Sequence, residues 1–390
     1  MEQLCATADR YFKSLSDPVP WMSKPFSSFL EAPEMLQTLG VLLSGLHLAK
    51  TMTVLDFGAG SCWLSRMLTQ LHCQAIACDV SSTALDIGKQ LYSRSPILGK
   101  CLFPPKFVHF DGRRIPLPDC SVDRIICNDA FHHVPNQAEI LGEFARILKP
   151  GGIAGFSEAG RFHSRSPQSQ QEMRNYGVLE NDIDLDAIFA LAKPRGLDHI
   201  RCKWLLSLEV SLEEQNALIE TDAGAARNGC LKEELQRKVM SDLRQTMTNR
   251  TLFYLHKGEL RLDSRSHLGL SHRIGVAQSE YTIVRGNSLS VPVTVSNTGT
   301  AEWLANSIED IGVVKFGCHL YDEKWALLSL DFCRHLFARN TLPGDDVTAV
   351  LTMRFDTAGT FIVGVDLVSE GICWFETLGS VPQYITVFVK

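Results

Sequence analysis

Val54-Leu-Asp-Phe-Gly-Ala-Gly60 is an apolar run that closes on two glycines one residue apart. An apolar run of this length bounded by glycine reads as a buried strand entering a turn. Leu64, Met67, Leu68 and Leu71 then recur at helical spacing, so a helix follows. Glycines between a strand and a helix let backbone approach a ligand closely, and the helix N-terminus favours negative charge. Asp79 closes a second apolar run, Gln74-Ala-Ile-Ala-Cys78, about 20 residues further on, where a carboxylate can accept from ribose hydroxyls. Trp63 stands where a dinucleotide fingerprint has its third glycine, so the pattern favours an adenosyl ligand without a pyrophosphate. Two positions stay open at this level. Asp56 either meets the ligand or braces the turn, and Asp79 either holds the ribose or caps the next helix.

The same alternation continues on both sides. Phe107–Phe110, Val122–Cys127 and Ile153–Ser157 are strand candidates, and Ile140, Leu141, Phe144, Ile147 and Leu148 mark a helix face. Lys149-Pro-Gly-Gly152 is expected to stop that helix. Alternating strands and helices predict an α/β fold with a mainly parallel sheet. Roughly fifty residues with Trp21, Phe26 and Phe29 precede the first strand and read as a helical cap. Residues 161–250 read as a mostly helical, charged insertion on the substrate side, with a strand near Ile200–Leu205; Leu252–Leu255 is the last strand. After about Ser264 the period changes to two: Leu289, Val291, Val293 and Val295 alternate with polar residues and proline. Turns at Gly286-Asn287, Asn297–Gly299, Pro343-Gly344 and Ala358-Gly359 separate further strands, so residues 263–390 are expected to form an all-β, immunoglobulin-like sandwich.

The composition sets bounds. A chain of 390 residues suggests two domains, here 1–262 and 263–390. A net charge of −6 argues against a general nucleic-acid binder. The 12 cysteines form no Cys-x-x-Cys pair and no His-Glu-x-x-His occurs, so no metal is expected; they read as buried free thiols. No secretion signal and no spanning stretch of ~20 apolar residues is seen, which predicts a cytoplasmic protein without a membrane span.

Taken in order, Val54–Gly60, Asp79-Val-Ser-Ser-Thr-Ala-Leu85, Asp111-Gly112, Asn128-Asp-Ala-Phe-His-His-Val134 and Ile147-Leu-Lys-Pro-Gly-Gly152 resemble the successive motifs of class I S-adenosylmethionine-dependent methyltransferases. The resemblance implies a Rossmann-like sheet of seven strands, one antiparallel, and S-adenosyl-L-methionine as cofactor. It implies cofactor binding by Asp56, Gly58, Ala59, Gly60, Asp79, Val80, Asp111, Gly112 and Asn128, with Asp79 on the ribose and Asp111 on the adenine amino group. Cys62 departs from the family pattern, where many members have glycine.

Methyl transfer to a hydroxyl requires a positioned acceptor and removal of its proton. A base near the ends of the fourth and fifth strands would be suitably placed. His133, Glu158 and His163 are the candidates; His132 is expected to shape the pocket and Arg161 to meet the acceptor. The C-terminal residues Val291–Trp303 and Asp366–Phe375 are similar to β-sandwich modules of polysaccharide-assembly proteins, including the sugar-binding sandwich of O-antigen exporters. Trp303, Trp325, Trp374 and Phe375 are the rings that would stack on sugar or fill the core, and Trp374 is taken as substrate-binding. The expectation is an O-methyltransferase of a sugar, glycolipid or polysaccharide precursor. A small-molecule methyltransferase that oligomerises through the sandwich, and a non-catalytic glycan-recognition protein, stand beside it.

Overall fold

The computed structural model describes residues 2–206, 208–219 and 225–390, so residues 207 and 220–224 of the expected helical insertion lie outside the described part. The chain divides into two compact units, residues 1–48 with 52–260 and residues 49–51 with 261–390.

In the first unit, α1 (Glu2–Lys13), α2 (Val19–Met22) and α3 (Ala32–Leu46) precede the sheet. There follow β1 (Thr53–Phe57), α4 (Trp63–Gln70), β2 (Gln74–Asp79), α5 (Ser82–Arg94), β3 (Lys106–His109), β4 (Val122–Asn128), α6 (Gln137–Ile147) and β5 (Leu148–Ala159). The unit closes with α7 (Pro167–Tyr176), α8 (Leu185–Ala192), β6 (His199–Lys203), α9 (Leu212–Ile219), α10 (Ala225–Asn249) and β7 (Arg250–His256). These seven strands form one sheet in the order β3-β2-β1-β4-β5-β7-β6. All neighbours pair in parallel except β7, which runs antiparallel to β5 and β6. The central strands read as continuous apolar runs because helices cover both faces. Leu55, Phe57, Ile125, Cys127, Phe131, Phe144 and Phe156 share one core, and Phe156 stacks on Phe253 at 4.4 Å.

Local chemistry places the helix ends. The Ser81 hydroxyl accepts from the Ala84 N–H at the start of α5, and Ser166 accepts from Ser169 ahead of Pro167 in α7. Lys149–Gly152 does not form a separate turn. Helix α6 ends at Ile147 and β5 begins at once, with the extra residues taken up by a register shift against β4 between Val122 and Arg124. Strand order reverses between β1 and β4, so a crevice opens at their carboxyl ends, where α/β folds bind ligands.

The second unit is built of strands: β8 (Leu262–Asp263), β9 (His272–Val276), β10 (Glu280–Ile283), β11 (Ser288–Asn297), β12 (Ala301–Glu302), β13 (Val314–Asp322), β14 (Leu327–Leu336), β15 (Asp346–Arg354), β16 (Gly359–Ser369), β17 (Cys373–Trp374) and β18 (Gln383–Val389). One sheet runs β10-β18-β16-β13-β14 with β17 on β16, and a second runs β15-β11-β9. Pairing is antiparallel except between β10 and β18 and in the short β8–β12 pair. Val291, Val293 and Val295 of β11 pack with Val363, Val365 and Leu367 of β16 in one core, which is the alternation expected of a sandwich.

Candidate active site

A cavity of about 360 Å³ lies at the carboxyl ends of β1, β2 and β4, within the usual range of roughly 300–1,000 Å³ for small-molecule sites. Gly58, Ala59, Gly60, Asp79, Val80, Gly112 and Asn128 line one side. Tyr11, Phe12, Trp21, Glu172 and Tyr176 line another, contributed by α1, α2 and α7. His133 faces the same space.

The glycine turn is held from below. Asp56 is buried and does not line the cavity; its Oδ2 accepts the Ser65 hydroxyl at 2.6 Å. Burial pushes the Asp56 carboxyl up to about 7 against the Ser65 hydrogen bonds. Asp79 Oδ2 accepts the Gly60 N–H and Oδ1 the Ser81 N–H, each at 2.8 Å. Burial raises the Asp79 pKa, with those two backbone N–H groups opposing. Cys62, the departure from the family pattern, takes a left-handed backbone (φ 60°) ahead of α4, the conformation glycine adopts most easily.

The remaining sequence candidates separate. The Asp111 carboxylate accepts the Arg113 and Arg114 N–H groups, both at 2.9 Å, on an exposed turn; Gly112, not Asp111, meets the cavity. Those two hydrogen bonds lower its pKa. Glu158 is fully buried. One oxygen accepts from the backbone of Ala130 and Phe131 and from the Cys127 thiol, and the other from His132 Nδ1 at 2.6 Å. Burial opposes charging His132, but Glu158, with Asp129 and Glu180, outweighs it and raises the His132 pKa. His163 Nε2 lies 2.8 Å from Glu180 Oε2, behind the lining, and Arg161 pairs with Asp184 on the surface. In the second unit Trp303 and Phe375 are buried in the core, while Trp325 is 55% exposed. The Trp374 ring is covered by the Arg334 guanidinium at 4.4 Å and by His319 at 4.1 Å.

Sequence reasoning missed Asp129, Arg250 and Glu180. Asp129 lines the cavity and is paired with Arg250 Nη1 at 2.7 Å; burial works against its charge, but Arg250 lowers its pKa. Asp129 adjoins the Asn128 motif and was within reach of that reading, whereas nothing near Glu180 signals three histidines converging on it. The sequence shows no metal-ligand spacing, but the fold brings His132, His133 and Glu180 into one group with ligand atoms within 4.8 Å, and His319, Asp366 and Glu376 into another. Among the described residues no helix is long and apolar enough to cross a membrane.

Residues 55–156 match the methyltransferase domain family. An uncharacterised methyltransferase of Schizosaccharomyces pombe is 35% identical over 109 residues, 26% of this chain and 37% of that protein. The ubiquinone biosynthesis O-methyltransferase of Shewanella halifaxensis is 27% identical over 108 residues, 28% of this chain and 44% of that protein. The match thus spans less than half the length of these relatives. The structure is also similar to Haemonchus contortus phosphoethanolamine N-methyltransferase 2 in complex with S-adenosyl-L-methionine, at a TM-score of 0.38 and 15% identity over 64% of this chain and 61% of that one.

The first unit carries a class I S-adenosylmethionine-dependent methyltransferase domain. The cradle of this domain suits its cofactor. Gly58 has φ +69°, and a Cβ there would sit 2.3 Å from that of Ala130, so the backbone at this point stays bare. Each Asp79 oxygen accepts one backbone N–H and keeps a further lone pair for a ligand hydroxyl. The methyltransferase domain therefore offers bare backbone, an acceptor carboxylate and the Asn128 amide along one wall of the cavity.

Proposed function

We propose that the chain methylates a hydroxyl group of a sugar or sugar-containing precursor in the cytoplasm, with His133 as proton acceptor. S-adenosylmethionine, when bound, supplies the electrophilic methyl group. Gly58, Gly60, Asp79 and Asn128 would hold it along the strand ends, and Val80 and Gly112 would flank it.

The observation that carries the proton-acceptor role is the tautomer of His133. Its Nδ1 donates to the Leu179 carbonyl oxygen, so Nε2 keeps its lone pair, and the ring lines the cavity. Glu158 does not take this role, because its oxygens are spent on the 130–132 turn and His132; it positions the segment that carries His133. The acceptor side is formed by the Tyr11, Trp21 and Tyr176 rings with Glu172 and Lys24 among them. Aromatic faces beside polar groups suit a sugar ring. Exposed Trp325, with Tyr384 at 5.0 Å and Tyr321 at 5.7 Å, supports glycan contact by the second unit.

The test is transfer of label from S-adenosylmethionine carrying an isotopic methyl group to sugars, nucleotide-sugars and glycolipids, read by mass spectrometry. Methylation of a sugar hydroxyl supports the proposal. Labelling of phenols alone would instead favour a small aromatic acceptor stacked on the same rings. Cofactor binding without any product would leave a recognition protein and sink the enzymatic reading.

A further inference from the structure

The second unit contains a buried imidazole nitrogen without a hydrogen-bond partner among the described residues. His319 on β13 is 1% exposed. Its Nδ1 faces the carbonyl oxygen of Leu330, which can only accept, so Nδ1 carries the proton. In the neutral ring Nε2 then holds its lone pair inward, and it has no hydrogen-bond partner among the described residues. What faces it is the Glu376 carboxylate, with Oε1 at 3.3 Å. Two lone pairs opposed in a buried place repel unless a positive centre lies between them.

We propose that His319, Asp366 and Glu376 form a divalent-metal site selective for a zinc-type ion. The three residues present ligand atoms within 4.8 Å of one another. Zinc bonds of about 2.0–2.2 Å at tetrahedral angles put neighbouring ligand atoms roughly 3.3 Å apart. His319 Nε2 and Glu376 Oε1 stand at that separation, 3.3 Å. The outer partners are those of metal sites. The Leu330 carbonyl fixes the His319 tautomer, and His272 Nε2 bonds to Asp366 Oδ1 while the Glu376 N–H reaches Oδ2 at 3.0 Å. Trp374, its ring centroid 4.1 Å from that of His319 and tilted by 42°, walls one side. Glu376 is 33% exposed, which leaves the ion a path in and water to complete its shell. One imidazole with two carboxylates suits zinc or manganese, whereas calcium and magnesium take oxygen ligands. The competing account is a protonated His319 paired with Glu376, which needs no ion.

The full chain, stripped with chelator, is titrated with Zn²⁺, Mn²⁺, Mg²⁺ and Ca²⁺ by calorimetry, and bound zinc is counted by elemental mass spectrometry. Zinc is expected to fill a site at least about tenfold tighter than magnesium or calcium, and E376Q to lose one zinc equivalent or weaken it by at least about tenfold. H319Q should do the same. Glu376 lies on the solvent side, so E376Q is expected to melt like the parent chain without zinc and to lose the zinc-induced rise in Tm. Any zinc taken up elsewhere in the chain would be the same in both proteins and would not alter the difference. No zinc binding by the parent chain, or an E376Q variant with unchanged equivalents and affinity, would overturn the proposal in favour of the ion pair.

Discussion

The Nδ1 atom of His133 lies 2.7 Å from the carbonyl oxygen of Leu179. A carbonyl cannot donate, so the contact assigns the imidazole proton and leaves Nε2 as the basic nitrogen. Loss of water around the ring lowers the His133 pKa, and the neighbouring His132 charge adds to this, against the pull of Leu179, Glu180 and Glu158. A histidine with a depressed pKa is neutral, and so competent as a base, throughout the neutral range. The acidic limb of kcat/KM against pH should therefore fall below the ordinary histidine value of about 6.5. His133→Asn is expected to cut kcat by about 10²–10⁴ and to abolish that limb. Cofactor affinity by calorimetry should stay within about threefold, because Gly58, Gly60 and Asp79 are untouched. A retained limb would remove His133 as the base.

Glu158→Gln tests a positioning role. The carboxylate is buried, receives the turn at 130–132 and meets His132 Nδ1 at 2.6 Å. Breaking a buried pair by removing one partner's charge costs about 3–5 kcal/mol. The variant should lose that order of stability in denaturant at pH 6. The pH dependence follows from His132, whose pKa is raised in the folded state. Its contribution is complete below the unfolded value of about 6.5 and is lost as pH rises through the higher folded value. The gap between parent and variant should therefore narrow from pH 6 towards pH 9, and a constant gap would argue against a charged His132.

Much of the wall proposed to hold the cofactor was legible because it is local. Gly58, Gly60, Asp79 and Asn128 each sit at the end of a strand whose apolar run the sequence displays, and the sheet order delivers all four to one crevice. The proposed acceptor side was not, because its parts are distant in sequence. Tyr11 and Tyr176 meet at 5.3 Å, and no local pattern joins α1 to α7. Glu158 looked like a candidate base at a strand exit, but its acceptor capacity is consumed by backbone N–H groups that only the folded β4–α6 connection turns towards it. Trp374 looked free because a strand alternates its faces; in the fold the ring is covered by Arg334 and His319 from β14 and β13.

Asp56 gives a second pH test, with the same direction of proton linkage but a substitution that stabilises. Its folded pKa is about 7, raised by burial, against about 3.9 in an unfolded chain. The native state thus binds more protons than the unfolded state between these values, and stability falls as pH rises from about 4 to 7. Asp56→Asn keeps an acceptor for the Ser65 hydroxyl and removes the buried charge. The variant should gain on the parent by up to a few kcal/mol at pH 8, with little or no gain at pH 4.5. Chemical denaturation at the two pH values measures it. An equal effect at both would mean that Asp56 is not the group that titrates.

Gly58 and Ala130 set the last test, because their conflict is steric and can be taken apart. In Gly58→Ala the new Cβ would lie 2.3 Å from the Cβ of Ala130, and the backbone sits at φ +69°. The left-handed backbone alone costs about 1–2 kcal/mol, and overpacking adds about 1–3. Relief of the overlap by moving the turn would displace bare backbone from the cavity wall, so cofactor affinity should fall by at least about tenfold along with stability. Ala130→Gly in the same chain removes the second methyl group and leaves only the backbone term. The double variant should recover most of the affinity while staying about 1–2 kcal/mol less stable than the parent. If Ala130→Gly restores nothing, the damage lies in the backbone conformation itself, and the close approach of these two residues is not what keeps Gly58 bare.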